Sequence, residues 1–325
     1  MTDPSASAPA VAQAPASSRL RHLLVPIVWE AVLLLVAIIA VAVVFLGDPH
    51  PTLSLFLAGL TPIGLLAVAV ALSLRTATAN LAVGALAMLA ATVGVSLTNN
   101  DTPLAVAMAV GVILAAAVGL VLGVLAAALS VPAWAVTLGG ATIVEAAVLG
   151  ATGGQIMLLR ADVGSLSVVW FVLFVLLTLG GGALWLIAGI RTALSATRDV
   201  APAGRWGGLR AGLGAIVGLT GSGFVAGLAG VVYALRLHAT PTSNGSSLTL
   251  VGLAVALLGG ISVFGRRGGV AGVLLATILL GSVQHVLLIN GARSWVVFLV
   301  TGIAVLVGLA ASRLIETLTG QGQGQ

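Results

Sequence analysis

Residues 221–281 read GSGFVAGLAGVVYALRLHATPTSNGSSLTLVGLAVALLGGISVFGRRGGVAGVLLATILLG, and this stretch decides the fold of the chain. It contains long apolar segments rich in glycine, a polar connection at His238–Ser247, and a tight Gly-Arg-Arg-Gly turn at Gly265–Gly268 before the last apolar segment. An α-helix needs about 20 apolar residues to cross a bilayer. The stretch therefore predicts several membrane-spanning helices in succession.

The composition of the whole chain predicts the same class. Hydrophobic residues make up 60% of the 325 residues and charged residues only 6%. Lipid leaves backbone groups without water, so only helices or closed barrels span it. Barrel strands would alternate apolar and polar residues over about ten positions, whereas the apolar runs here are unbroken. We therefore predict an all-α polytopic membrane protein.

Several kinds of chemistry are excluded by residue types that the sequence lacks. The chain has no cysteine, which excludes disulfides and thiolate metal sites. It also has no lysine, and a nucleotide-binding P-loop requires one. No HExxH motif or catalytic carboxylate pair is present, so we expect no enzyme site, metal or cofactor. The 13 basic residues lie mostly in short connections between apolar segments, which does not indicate nucleic-acid binding.

The apolar segments predict about ten transmembrane helices. Their approximate bounds are Val25–Leu46, Thr52–Leu74, Thr78–Leu97, Pro103–Leu129, Ala133–Ala151, Ser167–Ile190, Ala211–Leu235, Leu248–Val263, Gly269–Ile289 and Ser294–Ala311. The eighth segment is the shortest, and we expect Gly259 and Gly260 to break or bend it. The polar first segment, residues 1–20, predicts a disordered cytoplasmic tail. The membrane domain is then 21–315, and 316–325 is a flexible tail.

The placement of arginine predicts that both termini lie inside. With ten spans and an inner N-terminus, ten of the 13 arginines fall on the inner side. The outer three are Arg160, Arg236 and Arg293. Basic residues concentrate on the cytoplasmic side of membrane proteins. The bias therefore supports an even number of spans and an N-in, C-in topology.

Three polar residues within predicted spans are candidates for lining a solute path. Glu145 lies near the middle of the fifth span, where a carboxylate is costly unless it is paired, protonated or facing water. Asn80 and Thr137 are uncharged and cheaper to bury. Each of the three could also serve structure alone, because a buried Glu can lock two helices together and a buried Thr can bond its own backbone.

Glycines repeat at helical spacing in the seventh predicted span. Gly223, Gly227 and Gly230 form a smooth face on which another helix can approach closely. This face predicts either packing within the chain or, alternatively, a subunit interface or a mobile helix pair.

Four segments, in this order, resemble the permease subunits of bacterial ABC importers of the ribose type, in the branched-chain amino acid/ribose permease superfamily. They are Thr78–Leu86, Val131–Gln155, Gly221–Gly230 and Pro241–Gly272. The resemblance covers nearly the whole chain after Thr52. It implies a type II-like importer permease fold in the bacterial plasma (inner) membrane. It also implies transport of a sugar or similar small polar solute.

The resemblance further implies partners for this chain in the lipid bilayer. They are cytosolic ABC ATPase subunits, an extracytoplasmic solute-binding protein on outer loops that include His238–Ser247, and a second permease in a homodimer or heterodimer. The inner connection Arg191–Arg210 is the candidate for coupling to the ATPase, and Arg266 and Arg267 mark an inner turn. The coupling candidates are Ser195, Thr197, Arg198, Asp199, Val200 and Ala201.

The sequence departs from the family pattern at several positions. Asn80 stands where the family carries Asp, Ala82 replaces a Ser, and the inner connection lacks the usual Gly-Gly-Asn. These departures leave alternatives open. The chain could be an accessory permease subunit of a heterodimeric ABC complex, or a scaffold without a path of its own. It could also be an ion-coupled secondary transporter in which Glu145 is the coupling group.

Overall fold

The computed structural model describes residues 16–47, 52–129, 131–161, 163–164, 166–195, 209–241, 245–262 and 271–318. Within these residues the chain folds into eleven helices. They are α1 Ala16–Gly47, α2 Leu53–Arg75, α3 Val83–Asn99, α4 Leu104–Leu129, α5 Ala133–Thr152, α6 Ser167–Leu186, α7 Ala188–Ser195, α8 Leu209–Leu237, α9 Gly245–Leu258, α10 Gly272–Ile289 and α11 Ser294–Leu318.

The helices confirm the predicted all-α membrane architecture. Eight of the described helices are long and apolar enough to cross a bilayer. The exceptions among the larger apolar helices are α3, with 17 residues, and α9, with 14. At the ends of the chain, α1 already begins at Ala16, inside the segment predicted as a tail, and α11 continues to Leu318.

The inner connection contains one short helix in its described part. The eight residues of α7 end at Ser195. The other coupling candidates, Thr197, Arg198, Asp199, Val200 and Ala201, lie outside the described residues, as do Arg266 and Arg267 of the inner turn.

The helix α3 is short because the chain enters the protein interior in a non-helical conformation. The third predicted span was expected to begin at Thr78, but residues 76–82 are not helical and α3 begins at Val83. Thr76, Thr78 and Asn80 in this segment are buried. The apolar character that suggested a helix reflects burial of an irregular segment.

The connection before α9 requires a larger correction. His238–Ser247 was expected to be an outer loop, but Ala239, Thr240 and Pro241 are buried, and α9 begins at Gly245. The residues 157–159 pair with this segment. Thr240 N donates to Met157 O at 2.9 Å, and Leu159 N donates to His238 O at 2.8 Å. Residues 239–241 are therefore part of the protein interior, just before α9 begins.

The N-termini of α3 and α9 meet inside the protein. A Cβ placed on Gly84, near the start of α3, would collide with the carbonyl oxygen of Gly245, the first residue of α9. The C-terminal end of α9 is also fixed, because Trp29 Nε1 on α1 donates to Leu258 O at 3.0 Å. Gly260, with φ 76°, directs the chain away from this end.

The centre of the molecule is formed by α2 and α8. The most apolar windows of these two helices are 72% and 67% buried, compared with 17% for α1 and α6. The two central helices pack against each other, α2 also packs against α9, and α8 also packs against α3 and α4. The peripheral helices therefore present their apolar faces outward, as lipid-facing or partner-facing helices do.

Glycines bring the backbones of α4 and α8 into direct contact. A Cβ on Gly223 would lie 2.6 Å from Ala115 O, and one on Gly227 would lie 2.9 Å from Val112 Cα. From the other side, a Cβ on Gly123 would lie 2.8 Å from Ile216 Cα. The predicted glycine face of α8 therefore packs within the chain.

The close packing of α4 against α8 predicts that a Gly→Ala substitution, which usually stabilises a helix, destabilises this protein. Within an exposed helix, Gly→Ala stabilises by about 1 kcal/mol through helix propensity. Gly223→Ala should instead lower the melting temperature of the purified protein, because its Cβ would meet the Ala115 carbonyl. Gly180→Ala on α6 is the matched control, since a Cβ there meets nothing within 4 Å. Equal melting temperatures for the two variants would contradict the backbone contact between α4 and α8.

Candidate functional site

Polar side chains from four helices and from the irregular segment before α3 surround the point where α3 and α9 begin. We call this group the central polar cluster. It comprises Ser73, Asn80, Thr137, Ser222 and Thr249, and each of these side chains is buried. The cluster unites two of the three residues that the sequence suggested for a solute path, Asn80 and Thr137.

Asn80 ties the irregular segment before α3 to two helices. Its Nδ2 donates to Ser222 Oγ on α8 at 3.0 Å, while its Oδ1 accepts from Ala82 N at 2.9 Å. Its backbone N donates to Ser73 Oγ on α2 at 3.2 Å. The side-chain oxygen thus satisfies a backbone N–H just before α3, as capping residues do at helix starts.

Thr137 on α5 binds the same segment from the other side. Its Oγ1 accepts from Leu81 N at 3.0 Å. The hydroxyl has Ala79 O and Trp134 O, each at 3.2 Å, as possible acceptors for its proton. Since the side chain is fully buried, these bonds replace water for the backbone around Leu81.

Thr249 on α9 completes the cluster at the first turn of α3. Its Oγ1 accepts from Gly84 N at 2.9 Å. The same hydroxyl lies 3.0 Å from Gly245 O, within its own helix, and 3.3 Å from Leu81 O. Hydrogen bonds from Thr249 therefore join the starts of the two short helices.

Glu145 stands beside the beginning of α9. It follows Thr137 by eight residues on α5, which places it about 12 Å further along the helix axis. Its carboxyl Oε1 lies so close to Gly245 that a Cβ there would collide with it. The start of a helix carries a partial positive charge. The half-buried carboxylate therefore faces a favourable field at the N-terminus of α9.

A polar-lined cavity of about 150 Å³ lies outward of Glu145. Val148, one turn beyond Glu145 on α5, is part of its wall. Polar groups line it from α3, α5 and the outer connections. These residues are Thr92, Thr152, Gln155 and Thr240. Hydroxyl and amide groups of this kind suit a small solute with hydroxyl groups of its own.

Sequence reasoning missed Ser73, Ser222 and Thr249. A serine or threonine is common in membrane helices, so none of them is distinctive by itself. The available signal was the Thr and Asn run at 76–80, which favours a break over a continuous helix. Within the described part of the chain, no group of three His, Asp or Glu residues could hold a metal ion.

Comparison with known proteins places this chain among transport permeases. The family described as "Branched-chain amino acid transport system / permease component" matches residues 52–310. Curated relatives include the autoinducer 2 import system permease protein LsrC of Yersinia pseudotuberculosis. It is 30% identical over 255 residues, which cover 74% of this chain and 71% of the relative.

LsrC proteins of two further Yersinia species are similar to this chain. The protein of Yersinia pestis strain Pestoides F is 30% identical, covering 71% of this chain and 68% of the relative. That of Yersinia enterocolitica is 31% identical, covering 71% and 66%. No solved structure matches the chain significantly.

The hydrogen bonds of Thr137 give a prediction about folding. Thr137→Val removes the acceptor for the buried Leu81 N–H, and an unsatisfied buried donor costs about 1–3 kcal/mol. Thr137→Val should therefore lower the melting temperature in detergent, and Thr137→Ser should restore most of it. Thr142→Val is the control, because Thr142 is exposed on the same helix and bonds only Leu138 O of that helix. A similar loss in both valine variants would contradict the role of Thr137.

Proposed function

This chain belongs to the permease-component family of branched-chain amino acid transport systems, and we infer that it is the membrane-spanning subunit of an ATP-driven ABC importer. The relatives named above are permeases of autoinducer 2 import systems. Members of this family are transport permeases, so ATP hydrolysis belongs to a separate ABC ATPase subunit. We propose a sugar-like or similar small polar solute as the cargo.

The solute path, in this proposal, runs between α3, α5 and the start of α9. The observation that carries it is the pair of short helices that begin inside the protein, with Glu145 and a polar cavity beside them. Discontinuous helices of this kind form substrate sites in many transporters. Solute hydroxyls would enter the cavity, donate to the Glu145 carboxylate and continue inward.

Asn80 and Thr137 take a supporting role in this path. Their oxygen atoms already accept backbone N–H groups around the start of α3. They hold the wall of the path in place, and Glu145 is the residue that contacts solute. Few polar groups line the route, and the resulting weak binding lets the solute leave on the inner side.

Partners act on the two faces of the membrane. We propose that the ATPase engages the inner connection, with Ser195, Thr197, Arg198, Asp199, Val200 and Ala201 as coupling residues, and the turn at Arg266 and Arg267. An extracytoplasmic solute-binding protein docks on the outer segment 153–161. This segment replaces His238–Ser247 in that role, because part of the latter is buried.

A second permease subunit completes the path. The helix α5 exposes Gly139 and Gly150, where a Cβ would meet nothing within 4 Å, on the same helix as Glu145. A second copy of this chain, or a related permease, packs against this helix and closes the path on its open side.

Ion-coupled transport is the second candidate function. Glu145, beside the start of the short helix α9, resembles the arrangement with which secondary transporters bind coupling ions. That reading requires uptake without any ATPase partner.

Purification from the native membrane distinguishes the two candidates. In mild detergent, the tagged chain should bring down an ABC ATPase subunit, and deletion of residues 195–203 should abolish its recovery. The deletion variant must still elute as a folded species in size-exclusion chromatography. Recovery of the intact chain alone, under conditions that keep a known ABC complex together, would contradict the importer and favour ion coupling.

Cysteine labelling tests the path directly, because the chain has no cysteine of its own. Thr152→Cys in the outer cavity should react with an external, membrane-impermeant thiol reagent at least about tenfold faster than Thr178→Cys, which is buried in α6. Trapping the ATPase with vanadate should change the rate at Thr152→Cys several-fold. If Thr152→Cys reacts at the same rate with and without vanadate, the cavity is not part of the solute path.

A further inference from the structure

A second cavity, of about 240 Å³, lies between the outer ends of α2, α6 and α8. It shares no lining residue with the polar cavity beside Glu145. One of its walls carries Arg236, in the last turn of α8, and His238 lies just beyond. We propose that this cavity binds the phosphate of one phospholipid from the outer leaflet, with Arg236 as its principal ligand.

Arg236 is placed as an anion ligand. Its guanidinium lies against Gly59 of α2, where a Cβ would be 3.6 Å from Nη2. No acidic residue is present among the described residues that line the cavity. A half-buried guanidinium offers a fork of N–H donors that matches two phosphate oxygens.

The rest of the cavity has the amphipathic character of a lipid site. Ser54, Ser167 and His238 supply polar groups in its lining. Apolar walls come from Leu55, Leu166, Val232 and Leu235, and Trp170 lies among them. Tryptophan is enriched at the level of lipid headgroups, where one part of the ring is apolar and the other polar.

The rim of the cavity carries exposed apolar side chains, as a surface that faces lipid would. Leu55 and Leu166 line it and are 56% and 51% exposed. On the adjoining α6, exposed apolar side chains continue along the membrane. They are Val168, Val169, Val172 and Leu176. A cavity of this volume holds a phosphate and its neighbouring glycerol, and the acyl chains then run along these exposed faces.

The position of Arg236 also fits this occupant. It is one of three arginines that the topology places on the outer side, against the usual distribution of basic residues. An outer arginine near the membrane surface lies at the depth of the outer-leaflet headgroups, whose phosphates are held there at high local concentration. A lipid phosphate is therefore a more abundant ligand there than a dissolved anion.

Native mass spectrometry of the full-length protein tests the proposal without any transport measurement. The probe is phosphatidylglycerol, titrated into detergent-solubilised protein against phosphatidylcholine. Arg236→Gln should lower the apparent affinity for the first phosphatidylglycerol about tenfold, as expected for a charge-assisted hydrogen bond. Arg236→Lys should recover part of it. Arg160→Gln and Arg293→Gln, at two exposed outer positions, should leave it unchanged.

Three outcomes would overturn the proposal. One is equal phosphatidylglycerol binding by wild-type protein and Arg236→Gln, with both melting at the same temperature. Another is an equal loss in the Arg160→Gln or Arg293→Gln control, which would indicate attraction by overall charge. The third is complete displacement by inorganic phosphate at millimolar concentration, which would assign the site to a free anion. Failure of the importer assignment would leave all three measurements valid.

Discussion

The backbone at the beginnings of α3 and α9 is the constraint on which the structure depends. The first turn of a helix leaves N–H groups without partners in its own helix. Here those groups lie inside a membrane protein, where an unsatisfied group costs several kcal/mol. Asn80, Thr137 and Thr249 supply the acceptors for α3 and the residues just before it. Because these N–H groups need acceptors, one set of hydrogen bonds links α2, α3, α5, α8 and α9.

Close approach of the helices makes these hydrogen bonds possible. Gly84 and Gly245 allow the starts of α3 and α9 to touch, and Gly230 allows α8 to reach the Ala87 carbonyl of α3. The backbones of these helices are so close that even a methyl group would not fit between them. We therefore expect that the helices do not slide past one another easily. We infer that α3, α4, α8 and the start of α9 move as one rigid unit. Motion during transport then falls to the less buried helices around it.

Hydropathy was sufficient to locate the helices but not the two interior helix starts. It reports the transfer of side chains into lipid, and it does not report whether their backbone is helical. Residues 76–82 include Ala79, Leu81 and Ala82, so an irregular segment there looks like part of a span. Residues 238–247 looked like an outer loop because most of them are polar or small, although residues 239–241 are buried. The bond between Asn80 and Ser222 joins residues far apart in sequence, and no local pattern reveals it.

The same geometry separates the three polar residues that the sequence grouped together. Asn80 and Thr137 are bonded to backbone and buried, whereas Glu145 is half-buried beside the start of α9. A helix N-terminus carries about half a positive charge, which makes it a favourable neighbour for an acidic side chain. The oxygen atoms of the Glu145 side chain can accept hydrogen bonds from hydroxyl or ammonium groups. In the path proposed above, such contacts would favour hydroxylated solutes, and binding would be weak because one carboxyl group and a few neutral groups provide the contacts.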